Sequence, residues 1–406
     1  MTVVPRTVRT VIVLIAIALG VAVAPLPTAG AQPAAGPVYP LPHPDPFYAN
    51  PPDLAARANG DIIRSRPMPT PGGLTGAETW QLAFRSTDSQ GRPITVIAPV
   101  DRAVDGPILS YQQITNALGV TCSPSTALWS DRPEDRMYEA PTYSAILARG
   151  WTMAIPDHLG PTSAYAVGPI GGHITLDGVR AVRQFDTLRL GASPITIAGY
   201  SGGAIATGFA ATNAASYAPE LPIVGYAIGG VPANITQMGL ALGADRAHPV
   251  FGLAFAAAVA LEREYPEEFP LSEYLNDAGL QLRQELSNAC TGKILARGNG
   301  LSARVLTNGE GYLTDPRPVA VADRVSLEFQ QGIPNAPVYD WHSPTDTLVP
   351  LDALDRTFAR YCAAGVPVAR QLVNSRDHLS AAVLGLPAAI DWVADRFAGL
   401  PAPSNC

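Results

Sequence analysis

A serine hydroxyl becomes a nucleophile only when a base stands within hydrogen-bond reach and an acid orients that base. The stretch Gly199-Tyr200-Ser201-Gly202-Gly203 has the pattern G-x-S-x-G. The apolar run Ile195–Ala198, with two β-branched isoleucines, precedes it, and the small, apolar Ala204–Ala211 follows. Strand, sharp turn and helix are the context in which this pattern presents a lone serine at an apex. Small flanking residues let the strand and helix approach without a Cβ clash. The start of the helix favours the negative charge that develops on an attacked carbonyl. Ser201 is therefore the candidate nucleophile.

On such a strand–elbow–helix scaffold the acid follows the serine and the histidine follows the acid. The six histidines are His43, His158, His173, His248, His342 and His378, and only the last two follow a full strand in the final part of the chain. His378 lies in Asn374-Ser375-Arg376-Asp377-His378, just beyond the last expected strand, where a base hangs over the sheet's carboxyl edge. His342 ends the preceding strand and cannot follow an acid from its own loop, so His378 is the expected base. The acid is then Asp346, in the loop Ser343–Pro350. Asp340 lies inside the strand, and Asp352 and Asp355 inside the next helix. Two donors must meet the oxyanion. One is expected from the backbone N–H of Gly202, the other from Gln113–Gly119, where Asn116 offers its backbone or its side-chain amide.

These residues need a sheet to carry them. Thr79–Arg85 and Pro93–Pro99 alternate on either side of the turn Asp88-Ser89-Gln90-Gly91 and read as an antiparallel hairpin. Further strands are expected at Pro107–Gln112, Trp151–Ile155, Ile195–Ala198, Ile223–Gly229, Ala336–His342 and Val368–Val373. Helices are expected at Tyr138–Ala148, around Asp177–Phe185, at Pro350–Ala363 and at His378–Ala398. Between the strands at 223 and 336 the pattern is only helical, over Ile235–Leu242, Val250–Glu262, Leu271–Asp277 and Leu280–Ala289. The expected fold is a mostly parallel α/β sheet with an antiparallel edge and an inserted helical cap. Its expected parts are a secretory signal peptide (1–31), an extended Pro- and Ala-rich arm (32–75), a first core segment (76–230), the cap (231–335) and a second core segment (336–406).

The leader reading rests on Arg6 and Arg9, the apolar Val11–Val23, too short for a bilayer, and the A-x-A site Ala29-Gly30-Ala31. It makes the expected location extracellular, with the cell envelope as a further possible address. The formal charge is −7, and losing both leader arginines makes it two units more negative. That argues against nucleic acid and against attraction to anionic lipid. No later run is long enough for stable membrane insertion, and the expected state is a monomer. Cys122, Cys290, Cys362 and Cys406 contain no C-x-x-C, so an exported chain should pair them in two disulfides, with three pairings open. No Cys or His pair has ligand spacing, and neither metal nor cofactor is called for. The fragment Gly298–Ala303 matches G-x-G-x-x-A but lies in the helical block without a βαβ unit, so it does not indicate a dinucleotide.

Taken together, these pieces resemble the secreted lipase family typified by lipase A of the yeast once called Candida antarctica. The resemblance covers about Asp45–Cys406. It is carried by Ile62-Ile63-Arg64-Ser65-Arg66, Ser110-Tyr111-Gln112, Cys122-Ser123-Pro124-Ser125, Pro156-Asp157-His158-Leu159-Gly160-Pro161, Leu176–Ala181, Gly199–Gly203, Asp346–Pro350, Asp377-His378 and Cys406. It implies an α/β-hydrolase fold with a helical cap, hydrolysis of fatty-acyl esters, and a triad of Ser201, Asp346 and His378. It also implies the pairings Cys122–Cys290 and Cys362–Cys406. Two positions depart from the pattern: Asn116 stands where members carry an oxyanion-loop Asp, and His158 replaces an aromatic residue. The expected function is a secreted serine lipase or carboxylesterase acting on lipid esters, including triacylglycerols, with a lipid–water interface as an expected working surface. The rival readings are an acyltransferase to an alcohol or sugar, and a non-catalytic cell-envelope binding protein on the same fold.

Overall fold

Ile108–Gln112 and Ile195–Tyr200 are buried at every residue. Strands with no solvent face belong in the middle of a sheet covered on both sides. A computed structural model describes residues 36–71, 74, 78–102, 106–132, 137 and 140–406. The expected leader lies outside these residues, and so do Tyr138 and Glu139 at the start of the helix that follows them, Ala140–Leu147. Among the described residues nine strands form one sheet: β1 (Ile62–Met68), β2 (Glu78–Thr87), β3 (Pro93–Arg102), β4 (Ile108–Gln112), β5 (Thr152–Ala154), β6 (Ile195–Tyr200), β7 (Ile223–Gly229), β8 (Val338–His342) and β9 (Val368–Leu372). Their order is β1-β2-β3-β5-β4-β6-β7-β8-β9. From β5 to β9 all neighbours are parallel, and β1, β2 and β3 form the antiparallel end.

Within the expected extended arm, β1 pairs with β2 from Ile62 opposite Phe84 to Met68 opposite Thr79. Its sequence IIRSRPM lacks an alternating apolar face and contains Pro67. An edge strand tolerates both, because one side of its backbone needs no ladder partner.

Successive residues of β6 point to opposite layers. Ile195 and Ile197 join α1 (Gly168–Gln184) and α2 (Gly202–Tyr217) in one core, with Ile174, Val179, Phe209 and Ala210. Ala198 and Tyr200 join Trp341, Trp392 and Val393 in the core on the other face. The helices between β7 and β8 include α3 (Phe251–Glu264), α4 (Asp277–Leu286) and α5 (Thr291–Gly298). They do not enclose a core of their own: Phe255, Val259, Leu282 and Ile294 belong to the same cluster as Ile197 and Phe209. After β8 and β9 come α6 (Asp352–Ala363) and α7 (His378–Phe397).

Covalent and polar ties hold loops to this frame. Cys122 is bonded to Cys290 and Cys362 to Cys406, which resolves the three possible pairings. Arg263 on α3 is 1% exposed. Its guanidinium donates to the carbonyls of Val38 (2.8 Å), Leu118 (2.9 Å), Thr162 (2.8 Å) and Ser287 (2.7 Å). Burial pushes its pKa down to about 10, so it stays charged at neutral pH. At the end of the chain Asn405 lies along β9, donating its backbone N–H to Val368 O (2.9 Å) and exchanging side-chain bonds with the Arg370 backbone (2.9 Å each).

Removing the Arg263 head group leaves several buried carbonyls without a donor, each a desolvation cost. We expect Arg263→Leu to lower unfolding stability by about 3 kcal/mol or more, read as a fall in urea midpoint at constant slope. A change below about 0.5 kcal/mol would show that the carbonyls find other partners.

Candidate active site

The turn between β6 and α2 is the tightest point of the sheet. Ser201 has φ +52° and ψ −120°, a left-handed backbone that a serine adopts only at a cost of roughly 1–3 kcal/mol. Its N–H is held by Gly229 O on β7 at 2.9 Å. Gly203 begins the helix so close to β4 that a Cβ there would sit 1.9 Å from Gln112 O. The glycine required two residues after the serine is thus a packing requirement, and its result is a hydroxyl projecting beyond the carboxyl edge of the sheet.

His378 is the first residue of α7, whose start is capped by Asp377 accepting from Ser380 N–H (2.9 Å). The cap fixes the direction in which the imidazole leaves the helix. The structure brings the three singled-out side chains into line: His378 Nε2 lies 2.8 Å from Ser201 Oγ, and His378 Nδ1 lies 2.6 Å from Asp346 Oδ2. The other oxygen of Asp346 accepts the N–H groups of Leu348 (2.9 Å) and Val349 (2.8 Å). Burial alone would raise this carboxyl. Bonds from His342 and His378, the charge on His378 and the Val349 N–H outweigh it and hold Asp346 well below the usual carboxylate range. The acid loop is sewn to the histidine loop by Ser343 Oγ and Thr345 Oγ1, both donating to Ser375 O (3.2 and 3.3 Å).

Two side chains at this centre escaped the sequence reading. Tyr200 donates its hydroxyl to His378 O at 2.6 Å, with its ring against the imidazole. His342, set aside as a base, is fully buried and sits 3.3 Å from Asp346 Oδ2. The pattern G-x-S-x-G leaves its second residue free, and a histidine at a strand end carries no local signal of what it touches.

The loop after β4 brings Asn116 to the elbow. A Cβ on Gly202 would lie 2.3 Å from Asn116 Oδ1, and that oxygen has no hydrogen bond among the described residues. The loop is clamped from the helical block: Thr291 Oγ1 donates to Asn116 O (3.1 Å), Leu118 N–H to Ala289 O (2.9 Å), and Cys290 is bonded to Cys122. Beside it opens a cavity of about 270 Å³. Tyr165 and Ile205 form its wall near the elbow, and Phe251, Phe255, Leu271 and Ala258 continue it between the helices; none of its lining residues is charged. Among the described residues no three His, Cys, Asp or Glu side chains converge as metal ligands, and no helix is long and apolar enough to cross a membrane.

A serine on such an elbow, in a mostly parallel sheet with this strand order, defines an α/β-hydrolase. A family model described as secretory lipase matches residues 137–405, and the chain belongs to that family. It is 32% identical to Lipase 5 of Candida albicans, over 92% of this chain and 84% of that one. It is 30% identical to the secreted triacylglycerol lipase LIP5 of Malassezia globosa, over 82% and 72%. The crystal structure of Candida antarctica lipase A superposes with a TM-score of 0.84 at 28% identity, covering 92% of this chain and 89% of the other. The protein is a carboxylic ester hydrolase.

His158, the departure from an aromatic residue, is buried beside the elbow-packing helices, with its carbonyl 3.5 Å from where a Cβ on Gly171 would stand. Neither ring nitrogen has a partner among the described residues, and burial pushes its pKa down to about 4. An unfolded histidine titrates near 6.5. Between those values the unfolded chain binds more protons, so His158 costs stability as pH falls through that window. We expect His158→Phe to gain on the parent in urea midpoint as pH drops from 6.5 toward 4. Parallel curves for the two proteins would contradict this.

Proposed function

We propose that the protein hydrolyses fatty-acyl esters through an acyl-enzyme on Ser201. The observation that carries this reading is the unbroken line Ser201–His378–Asp346 beside an uncharged apolar cavity. Ser201 Oγ attacks the ester carbonyl carbon as His378 Nε2 takes the hydroxyl proton. Asp346 holds Nδ1–H and stabilises the imidazolium. Gly202 N–H and the Asn116 amide, turned with its nitrogen toward the same space, receive the oxyanion. The tetrahedral intermediate then collapses, and the leaving alcohol takes the proton from His378. Water, deprotonated by the same imidazole, attacks the acyl-serine; the acyl C–Oγ bond breaks, Ser201 Oγ takes the proton back from His378, and the fatty acid is released. A neutral amide at position 116 donates without first having to be protonated. The acyl chain lies in the cavity between α2 and α3, roofed by the block of helices that serves as a cap. No step calls on a metal or cofactor. The leader 1–31 directs the chain out of the cell.

A lipid–water interface as the working surface is supported by α7. Leu379, Val383 and Leu384 are exposed (67%, 71% and 59%), and Leu379 directly follows the base. No charged residue occurs from His378 to Ile390. A neutral apolar surface matches this face and the acidic chain better than anionic lipid does.

With p-nitrophenyl esters, we expect Ser201→Ala to lose about 10⁴-fold or more in kcat/KM at every chain length. Retained turnover would remove Ser201 from the chemistry. Replacing Leu379 and Val383 together by serine should reduce turnover of emulsified triacylglycerol several-fold while leaving a soluble acetate ester within about twofold. Equal losses on both substrates would rule out the interfacial role.

A further inference from the structure

A carboxylate buried at the end of a sheet must find a donor for each lone-pair direction or lose its charge. Two of the donors on Asp346 are the backbone N–H groups on Oδ1, and the third is His378 Nδ1 on Oδ2. The remaining side of Oδ2 faces His342. The Nε2 of this residue lies 2.9 Å from Val349 O and 3.3 Å from Asp346 Oδ2. Both neighbours are acceptors, so Nε2 carries the hydrogen. Nδ1 is then the bare nitrogen, and it has no partner among the described residues. Val349 in turn gives its N–H to Asp346 Oδ1. His342, Val349 and Asp346 therefore close a small ring of contacts, and a hydrocarbon at 342 would leave Val349 O and one side of Oδ2 without their donor.

We infer that His342 is a positioning residue for the acid: its Nε2–H, anchored on Val349 O, fixes the Asp346 carboxylate toward His378 and competes with His378 for the charge on Oδ2. This inference rests on the triad reading above and adds to it a control of how firmly the base holds its proton. The charged groups acting on His342 are Asp346 on its own loop, which it shares with His378 of α7, and Asp340 on β8 with its partner Arg370 on β9 (3.3 Å). Burial pushes His342 down, but Asp346, Asp340 and Val349 O together bring it above the ordinary histidine value.

Deleting the competing donor leaves the whole of Oδ2 to His378. The imidazole, which must be neutral to act, then holds its proton to higher pH. In the full-length secreted protein, with a soluble butyrate ester, we expect His342→Phe to lower kcat by about tenfold to a hundredfold. The acid limb of the kcat/KM profile should move up by about half a pH unit or more. His342→Gln, which keeps an amide donor, should return the limb close to the parent. Rates are to be divided by the fraction of protein that a fluorophosphonate probe labels, so that loss of folded protein does not count. A purely structural role would lower that fraction and the melting temperature while leaving the limb in place, and that result overturns the inference. So does an equal shift in the Phe and Gln variants. If the Phe variant does not fold, His342→Met against His342→Gln makes the same comparison. An active Ser201→Ala would overturn the triad reading itself. An inert Ser201→Ala with an unmoved His342→Phe profile overturns only the role given to His342.

Discussion

The left-handed turn at Ser201 is the constraint from which the rest of the centre follows. A serine in that conformation is unfavourable by itself. It persists because β6 is locked between β4, paired from Ile195 to Gly199, and β7, paired from Ile195 to Tyr200, and because the helix that follows is pressed against the end of β4. The contact that leaves no room for a side chain at Gly203 also dictates where the chain can go after Gln112. The loop carrying Asn116 must therefore pass the serine on the same side as the helix start. Base and acid arrive from the strands beyond β7, whose carboxyl ends point the same way in a parallel sheet. Convergence of the three side chains is a property of strand direction as much as of side-chain choice.

The helical block is tied to this centre more firmly than the word cap suggests. Its apolar side chains merge with those beneath the sheet. Several of its ties reach the loops around the elbow: Thr291 to Asn116, Ala289 to Leu118, Cys290 to Cys122, and Arg263 to Leu118 and Thr162 at once. A buried guanidinium is an expensive way to join backbone segments unless every donor is used. Here it receives carbonyls from the N-terminal segment, the loop after β4, the loop after β5 and the end of α4.

Much of the centre was legible because its signals are local. The glycine spacing around Ser201, the apolar run before it and the order of later loops point to Ser201, Asp346 and His378 without any knowledge of contacts. The inner strands β4 and β6 were legible for the same reason: both faces are buried, so the runs are largely apolar and short. β1 was not legible, since an edge strand can be polar and hold Pro67. The cysteine pairing could not be read from spacing, because it depends on where Cys122 and Cys290, 168 residues apart, meet in space. Arg263, Tyr200 and His342 were missed because a buried polar residue is defined by partners far along the chain, and the sequence around it looks like any helix or strand. The helices between β7 and β8 were placed roughly, but Leu271–Tyr274 and Asp277–Leu286 divide where Asn276 caps a new start, accepting from Gly279 N–H (3.0 Å).

The last residues of the chain have a role unrelated to chemistry. β9 is the outer strand of the parallel side, and an outer strand offers its free backbone groups to any other strand that comes near. Asn405 occupies Val368 O and both backbone groups of Arg370, and the bond from Cys406 to Cys362 keeps it there. The tail thus works as a selvedge, finishing the sheet so that it does not ravel into a neighbouring molecule. With the Cys362–Cys406 bond opened, that border would come loose, and self-association would become a hazard.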